Sequence, residues 1–157
     1  MSNKNARELF SLKDPIQFLA LGFGSGLAPK APGTFGTLAA IPLYLVLMQF
    51  STTVYVVATL LACVVGVYIC GKAADDVGVH DHPAIVWDEI AGFLVTMAFV
   101  PLTTLNILLG FILFRIFDIW KPWPISIADK KVHGGLGIML DDVLAGVLAL
   151  GFMLIIA

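Results

Sequence analysis

The hydrophobic residues of this chain occur in long runs that contain no charged side chain. Residues 31–71, 90–114 and 143–157 lack Asp, Glu, Lys and Arg altogether. An α-helix needs about 20 mostly apolar residues to cross the roughly 30 Å hydrocarbon core of a bilayer. The first run is long enough for two such helices, and the pattern predicts them at about 35–50 and 53–71.

The second apolar run also has the length of a helical hairpin. Its arms are predicted at about 84–100 and 103–121, joined at Pro101, because proline interrupts a helix. The arms reach the length of a membrane span only when four charged residues are counted inside them: Asp88, Glu89, Arg115 and Asp118. The second run therefore predicts two helices that carry charges into the membrane.

The end of the chain completes the predicted bundle. A last helix is expected at about 138–157, with Asp141 and Asp142 in its first turns. The sequence therefore predicts an all-α fold, a polytopic membrane helix bundle of about four to five helices. We expect one membrane domain over residues 1–157, with a polar N-terminal arm at 1–15.

Composition supports a membrane protein and excludes other classes. The chain is 59% hydrophobic and 13% charged, with a mean hydropathy of +0.97, whereas a soluble domain usually carries about 25% charged residues. A net charge of −2 provides no basic surface for nucleic acid. Cys63 and Cys70 lie in an apolar run and form no CxxC motif, so neither a disulfide framework nor a zinc site is expected.

Positive charge is unequally distributed among the connections between the predicted helices. The basic residues in the N-terminal part and in the connections at 72–83 and 121–137 are Lys4, Arg7, Lys13, Lys30, Lys72, Lys121, Lys130 and Lys131. The other connections, near Ser51 and Thr103, carry no charge. In an alternating topology the basic connections share one side, and the positive-inside rule makes that side cytoplasmic. We therefore expect the polar site to face the cytoplasm.

Several ionisable residues are predicted to lie at membrane depth on this side. Asp88 and Glu89 are adjacent and lie about 100° apart on a helix, so both can border one cavity. Arg115, Asp118 and Lys121 are spaced by three and share one helical face. Ionisable groups inside a membrane are costly and usually face a bundle interior or a watery cavity, which favours a functional role. For the second group, an Arg–Asp pair that neutralises itself is the alternative.

Two further polar groups have structural explanations as well. The helix dipole stabilises acidic residues near the start of a helix. This effect explains the presence of one of Asp141 and Asp142, but not of both. At the end of the second predicted helix, four residues fall at helical spacing if the helix continues: Lys72, Asp75, Asp76 and His80. A solvated loop is the alternative for this group, and it is the favoured interpretation for Asp81 and His82, which follow.

A glycine-rich segment at 22–36 is a candidate anion-binding loop. Its five glycines and two prolines exclude a regular helix, and glycine-rich turns can direct several backbone N–H groups at one anion. Lys30 would add a positive charge, and the helix predicted to begin near Phe35 would point its positive end at the same place. A connecting turn without a ligand is an equal alternative. The pattern leaves open whether residues 16–28 span, re-enter or lie on the membrane.

The acids come from three predicted helices and the basic residues from three segments. Carboxylate oxygens are the ligands that Mg²⁺ prefers, usually one or two carboxylates together with waters and substrate phosphate. Lysine and arginine suit the remaining phosphate oxygens. The combination predicts a metal-assisted phosphoryl site at the membrane surface.

Four blocks of the sequence resemble the phosphatidylglycerophosphatase A family, and together they extend over about residues 18–151. The blocks are GFGSGLAPKAPGT, GVHDHPAIVWDEIAG, FRIFDIWKPWPI and VHGGLGIMLDDVLAG. The resemblance implies a Mg²⁺-dependent enzyme of the bacterial inner membrane that converts phosphatidylglycerophosphate to phosphatidylglycerol and inorganic phosphate, in glycerophospholipid synthesis. The implied partners are the lipid substrate and the membrane, with no obligate protein partner.

These observations and the resemblance lead to an expected role for each ionisable residue. The expected catalytic residues and metal ligands are Asp88, Glu89, Asp118 and Asp142, with Asp141 and Asp76 as second choices. The expected phosphate-binding residues are Lys30, Arg115 and Lys121. His133 is a candidate proton donor to the leaving glycerol oxygen, although a histidine beside two glycines is more often structural. Direct attack by water and a phospho-aspartyl intermediate both remain open, as does the number of metal ions.

A non-enzymatic membrane protein, either a small transporter or a structural helix bundle, is the competing class. Its intramembrane charges would form a permeation path or a stabilising network. Transporters usually place such charges near the midplane and often contain internal repeats. Here the charges cluster toward one face and no repeat is visible, which favours the enzyme.

Overall fold

The computed structural model describes residues 6–157, and every regular element in this part of the chain is helical. The helices are α1 (Ala6–Leu9), α2 (Pro15–Ala20), α3 (Pro32–Leu47), α4 (Thr52–Val77), α5 (Trp87–Thr96), α6 (Thr104–Trp120), α7 (Ile125–Lys131) and α8 (Gly134–Ile156), with a 3₁₀ turn at Ser25–Leu27. The predicted all-α bundle is therefore confirmed. Residues 1–5, which include Lys4 and part of the predicted arm, lie outside the described residues.

Among the described residues, two helices are long and apolar enough to cross a membrane. They are α4 and α8, with 26 and 23 residues and mean hydropathies of 2.3 and 2.2. Large apolar side chains on the outer face of α4 are exposed, including Leu60 and Leu61 at 59% and Val64 at 69%. A contiguous apolar surface of this kind is typical of a face that contacts lipid or another apolar partner.

The five predicted segments correspond to α3, α4, α5, α6 and α8, but their bounds differ from the predicted ones. The largest difference is α5, which has only 10 residues and a length of about 15 Å at 1.5 Å per residue. As a helix alone it is too short to cross a bilayer core of about 30 Å. Phe99 has a φ of 65°, and Pro101 disfavours helical backbone at the residue before it, so the chain leaves the helix at Met97.

The segment 16–28, whose membrane placement the sequence left open, contains no helix long enough to cross a bilayer. It contains only the six-residue α2 and the 3₁₀ turn. The side chain of Asp14 caps α2 by accepting hydrogen bonds from the backbone N–H groups of Ile16 and Gln17. The segment then packs against the bundle, because the backbone N–H of Val86 donates to the carbonyl of Ala20 at 2.8 Å.

The short helix α5 lies at the centre of the bundle and contacts α3, α4, α6 and α8. Most of its side chains are buried, which is unusual for a helix that begins with two acids. The indole N–H of Trp87 donates to the carbonyl of Ala62 on α4 at 3.0 Å, and the hydroxyl of Tyr55 on α4 donates to the carbonyl of Leu94 at 2.6 Å. These two bonds tie both ends of α5 to one long helix and fix its position in the bundle.

Candidate active site

Three carboxylates converge at the start of α5. One oxygen of each of Asp88, Glu89 and Asp142 lies within 4.8 Å of an oxygen of the other two. Asp88 and Asp142 are 5% and 2% exposed. Such proximity of like charges away from water is unfavourable unless a cation or bound protons compensate it. The arrangement is therefore the centre of the candidate site.

Close backbone contact between α5 and α8 brings Asp88 and Asp142 together. Asp88 and Gly92 are four residues apart and share one face of α5. A Cβ atom at Gly92 would lie 2.8 Å from the carbonyl oxygen of Asp142, and a Cβ atom at Gly146 would lie 2.5 Å from the carbonyl oxygen of Gly92. The two glycines remove the side chains that would hold the helices apart, and Asp142 consequently faces Asp88.

The location of Asp142 along its helix differs from the predicted one. Helix α8 begins at Gly134 rather than near residue 138, so Asp141 and Asp142 occupy its third turn. The helix dipole acts mainly within the first turn and therefore does not explain their burial. The helix dipole does stabilise the negative charges of Asp88 and Glu89, because both residues lie in the first turn of α5.

The donor set fits a hard divalent cation. Asp88 Oδ1, Glu89 Oε2 and Asp142 Oδ2 are buried and have no hydrogen-bond partner. Buried polar atoms are normally satisfied, and each exception calls for an explanation. Carboxylate oxygens from two helices, all directed at one small volume, are the ligand type that Mg²⁺ takes. Among the described residues, no other group of three or more His, Cys, Asp or Glu side chains has this geometry.

Asp118 lies beside this cluster but is engaged by basic residues. Its Oδ2 accepts a hydrogen bond from Arg115 Nη1, and its Oδ1 is 4.0 Å from Lys121 Nζ. Asp118 and Arg115 are 8% and 15% exposed. The predicted ligand Asp118 is thus placed to hold Arg115, while the three-carboxylate group forms without it.

Lys121 lies between two buried acids. Its Nζ is 3.8 Å from Asp141 Oδ2 and 4.0 Å from Asp118 Oδ1, so neither distance is that of a strong hydrogen bond. Partial burial disfavours the charged ammonium, but the carboxylates of Asp142, Asp118 and Asp141 outweigh it and raise the pKa of Lys121. These carboxylates therefore favour the charged form of the ammonium.

The glycine-rich segment reaches the site through Gly33 rather than Lys30. Lys30 is exposed and forms no ion pair with any described residue. Helix α3 begins at Pro32 rather than near Phe35, so Gly33 belongs to its first turn and lies against Glu89 and Arg115. Sequence reasoning missed Gly33, although proline at the first helical position would have signalled the earlier start.

Asp76 and His133 take no part in the group of three carboxylates. Asp76 pairs with Lys72 one turn earlier on α4, and Gln17 Nε2 donates to it at 3.5 Å. His133 is exposed at the start of α8 and packs against His80, with ring centroids 6.2 Å apart. Its position along α8 is about 12 Å from that of Asp141, at 1.5 Å per residue. Asp141 is buried, and its Oδ1 has no hydrogen-bond partner.

Buried carboxylates, a guanidinium and an ammonium at one end of an apolar helix bundle define a membrane protein with an enclosed acidic centre. The family model described as Phosphatidylglycerophosphatase A matches residues 18–157. The chain therefore belongs to the phosphatidylglycerophosphatase A family, and it is a phosphatase. This result confirms the predicted enzyme over the transporter and structural alternatives.

Curated relatives cover nearly the whole chain. It is 45% identical to Phosphatidylglycerophosphatase A of Escherichia coli over 94% of this chain and 87% of the relative. It is 46% identical to the Haemophilus influenzae protein of the same name, over 95% and 93%. A Bacteroides thetaiotaomicron protein provisionally described as a phosphatidylinositol-3-phosphatase is 38% identical over 82% and 85%. No solved structure shows a significant match.

Proposed function

We propose that this phosphatase hydrolyses the terminal phosphate monoester of phosphatidylglycerophosphate in a Mg²⁺-dependent reaction. The products are phosphatidylglycerol and inorganic phosphate. The observation that carries the metal dependence is the convergence of Asp88, Glu89 and Asp142, each with a buried oxygen that has no hydrogen-bond partner. The substrate is supported by the names of the Escherichia coli and Haemophilus influenzae relatives.

Asp88, Glu89 and Asp142 would hold the metal ion, and Asp118 and Asp141 would complete the acidic wall around it. A bound Mg²⁺ supplies Lewis-acid polarisation of the phosphoryl group and lowers the pKa of coordinated water. The three ligand side chains come from two helices that touch through Gly92 and Gly146. The bundle thus keeps the ligands in position before the substrate arrives.

The basic residues act on the phosphate. Arg115 is oriented by Asp118, and its planar guanidinium matches the oxygens of a phosphate. Lys121 adds a second positive charge next to Asp118 and Asp141. Together they would neutralise the charge on the transferring group, which is usually a large contribution to catalysis. Either a water molecule or one of the aspartates is the attacking group.

The membrane position suits a lipid substrate. The site lies where α5 and α8 begin and α6 ends, and basic residues follow at Lys121, Lys130 and Lys131. The opposite connections, near Ser51 and Thr103, carry no charge, so the positive-inside rule orients the site toward the cytoplasm. We therefore propose a multi-pass protein of the bacterial inner membrane that receives the head group at its cytoplasmic surface while the acyl chains stay in the bilayer.

The test is phosphate release by the purified protein in detergent, with and without Mg²⁺. Phosphatidylglycerophosphate, phosphatidic acid and phosphatidylinositol 3-phosphate are compared at equal surface concentration, with Asp88→Asn as the inactive control. Release that requires the metal and is fastest with phosphatidylglycerophosphate is expected. Faster release from either other lipid would overturn the substrate, and release unaffected by a chelator would overturn the metal.

A further inference from the structure

We propose that the seam between α4 and α8 binds one phospholipid molecule at a site separate from the acidic centre. The inference goes beyond the proposed function and does not depend on it. Two cavities follow each other along this seam: an apolar groove between the two helices and a polar cavity at the end of α4. A lipid with an acyl chain in the groove and its head group in the polar cavity matches this order.

The apolar groove has a volume of about 180 Å³ and is open toward the outside of the bundle. Every side chain that lines it is apolar, and the walls include Val64 and Val67 on α4 and Leu136 and Leu140 on α8. Val64 and Leu136 are 69% and 54% exposed. An apolar surface between two helices of membrane-spanning length faces lipid tails, so the chemistry of the groove suits an acyl chain.

The polar cavity is larger, with a volume of about 320 Å³. At about 30 Å³ for each water molecule, this is room for a head group rather than for a single ordered water. Asp75 and His80 line the cavity together with glycines from both helices. A Cβ atom at Gly78 or at Gly134 would have no neighbour within 4 Å, so the cavity is open at both of these residues.

The two cavities share one face of α4. Their lining residues on this helix follow one another at spacings of three and four: Val64, Val67, Gly71, Asp75 and Gly78. From Cys63, which also lines the groove, to Gly78 the distance along the helix is about 22 Å at 1.5 Å per residue. One leaflet with its head groups has about the same thickness, half of the roughly 40–45 Å bilayer. The length and the polarity of the seam therefore both match one lipid molecule.

The polar cavity contains two features of opposite charge. Helix α8 begins there without a side-chain cap from His133 and without an acid in its first turn, so its first backbone N–H groups and the positive end of its dipole are available to a phosphate. Asp75 forms no ion pair with any residue that the structure describes. The head group that complements both features is zwitterionic, with a phosphate and an ammonium, as in phosphatidylethanolamine.

The groove and the acidic centre lie on opposite sides of the pair formed by α4 and α8. The carbonyl of Ala62 on α4 accepts the hydrogen bond from Trp87 of α5, and Val64 lies about 200° around the helix from Ala62. On α8, Leu140 lies about 200° from Asp142 in the same way. A lipid in the groove is therefore separated from the three carboxylates by the two helices and leaves the substrate position free.

The decisive variants are Val64→Trp and Leu140→Trp, which place a large ring in the groove from either wall. We expect each to lower the affinity for phosphatidylethanolamine at least about tenfold. Turnover should not change, because neither residue borders the acidic centre. Val57→Trp is the matched control: Val57 is 50% exposed, lies two turns before Val64 on the same face of α4, and does not line the groove. It should bind lipid as the unchanged protein does.

The measurement is native mass spectrometry of the full-length protein in detergent, titrated separately with phosphatidylethanolamine, phosphatidylglycerol and diacylglycerol. Crosslinking with a phosphatidylethanolamine that carries a photoactivatable group in its acyl chain locates the bound lipid, and the crosslinks should fall within residues 63–67 and 136–143. Asp75→Asn should reduce the preference for phosphatidylethanolamine over phosphatidylglycerol about fivefold and leave the binding of diacylglycerol unchanged.

Loss of binding in both groove variants, with binding retained in Val57→Trp, supports the site. Equal binding in all three variants, or crosslinks outside the two segments, overturns it. Preferential binding of phosphatidylglycerol by the unchanged protein overturns the pairing of an ammonium with Asp75. A higher KM for the lipid substrate in both groove variants but not in Val57→Trp would show that the groove serves the substrate, which overturns a separate lipid site.

Discussion

Two groups of charged residues at the ends of these helices show how differently the same side chains can be used. At the start of α5, Asp88 and its neighbours are buried, close to one another and only partly hydrogen-bonded. At the end of α4, Lys72 and Asp76 form a partly exposed pair four residues apart, and Gln17 donates to the same carboxylate. The first group contains buried oxygens without a hydrogen-bond partner, whereas the charges of the second group are paired.

The difference separates a site from a solvated helix end. An exposed pair at i,i+4 is satisfied by itself and by water, and contributes little to stability. Buried carboxylates that face one another lose water and repel, so a cation or bound protons must compensate their charges. Both groups contain acidic residues near apolar helices, and only burial and the unpaired atoms distinguish them.

The largest expected effect is the loss of turnover in Asp88→Asn. An amide keeps the shape of the carboxylate but removes one negative charge from the cluster. Because metal-assisted charge stabilisation is worth several kcal/mol and each 1.4 kcal/mol is about tenfold in rate, turnover should fall at least about 10³-fold. Phosphate release from membranes that contain equal amounts of protein measures it.

The same variant should remain folded. It removes like-charge repulsion from a buried cluster, so the unfolding temperature measured without metal should not fall. A variant with near-normal turnover would remove Asp88 from the mechanism. A variant that no longer accumulates in the membrane would instead show that Asp88 is needed for folding.

The second effect is that of Asp118→Asn, which tests whether this acid serves Arg115 rather than the metal. Removing one partner of a buried ion pair destabilises by about 3 kcal/mol, and a misplaced arginine should lower turnover about 100-fold. The unfolding temperature and the kinetic constants measure the two effects. The double variant Asp118→Asn/Arg115→Gln should regain stability without regaining turnover.

Stabilisation by Mg²⁺ distinguishes the two roles. If Asp118 acts on Arg115 alone, Asp118→Asn should keep the stabilisation by the metal that Asp88→Asn loses. Equal loss in both variants would make Asp118 a ligand, as the sequence first suggested.

The third effect is the stabilisation of the unchanged protein by Mg²⁺. A ligand that binds only the folded state at 100 times its Kd stabilises by about 2.7 kcal/mol. Mg²⁺ should therefore raise the unfolding temperature, and Asp88→Asn and Asp142→Asn should both abolish the increase. An increase of the same size in both variants would place the binding site elsewhere. Thermal unfolding in detergent at constant ionic strength is the measurement.

Most of the bundle could be predicted from the sequence, because charge-free apolar runs define membrane helices directly. The exception is α5, which hydropathy alone extends over 84–100 and the structure limits to Trp87–Thr96. The apolar residues at 84–86 and most of those at 97–100 are buried without being helical, whereas Phe99 is exposed. Hydropathy does not distinguish buried helical residues from buried residues outside a helix. The resemblance does not give helix ends either.

The acids of the site could be proposed from the free-energy cost of placing charges at membrane depth. Which acid faces a metal ion and which one orients Arg115 could not be predicted. Asp118, three residues from Arg115, is as consistent with a metal ligand as with an anchor for arginine until partners are known. Gly33 has no side chain whose chemistry could indicate a place in the site. Its contact with Glu89 and Arg115 depends on how α3 packs against α5 and α6. Contacts between such distant segments cannot be predicted from local spacing.

The smallest expected effect belongs to the pair at the end of α4. Lys72→Ala and Asp76→Asn should leave turnover within about twofold of the unchanged protein, because surface substitutions away from a site change little. Neither should alter the unfolding temperature measurably or the stabilisation by Mg²⁺. A loss of metal stabilisation in Asp76→Asn would make this acid a ligand and would erase the distinction between the two groups. The same assays as for Asp88→Asn, run in parallel, decide between these outcomes.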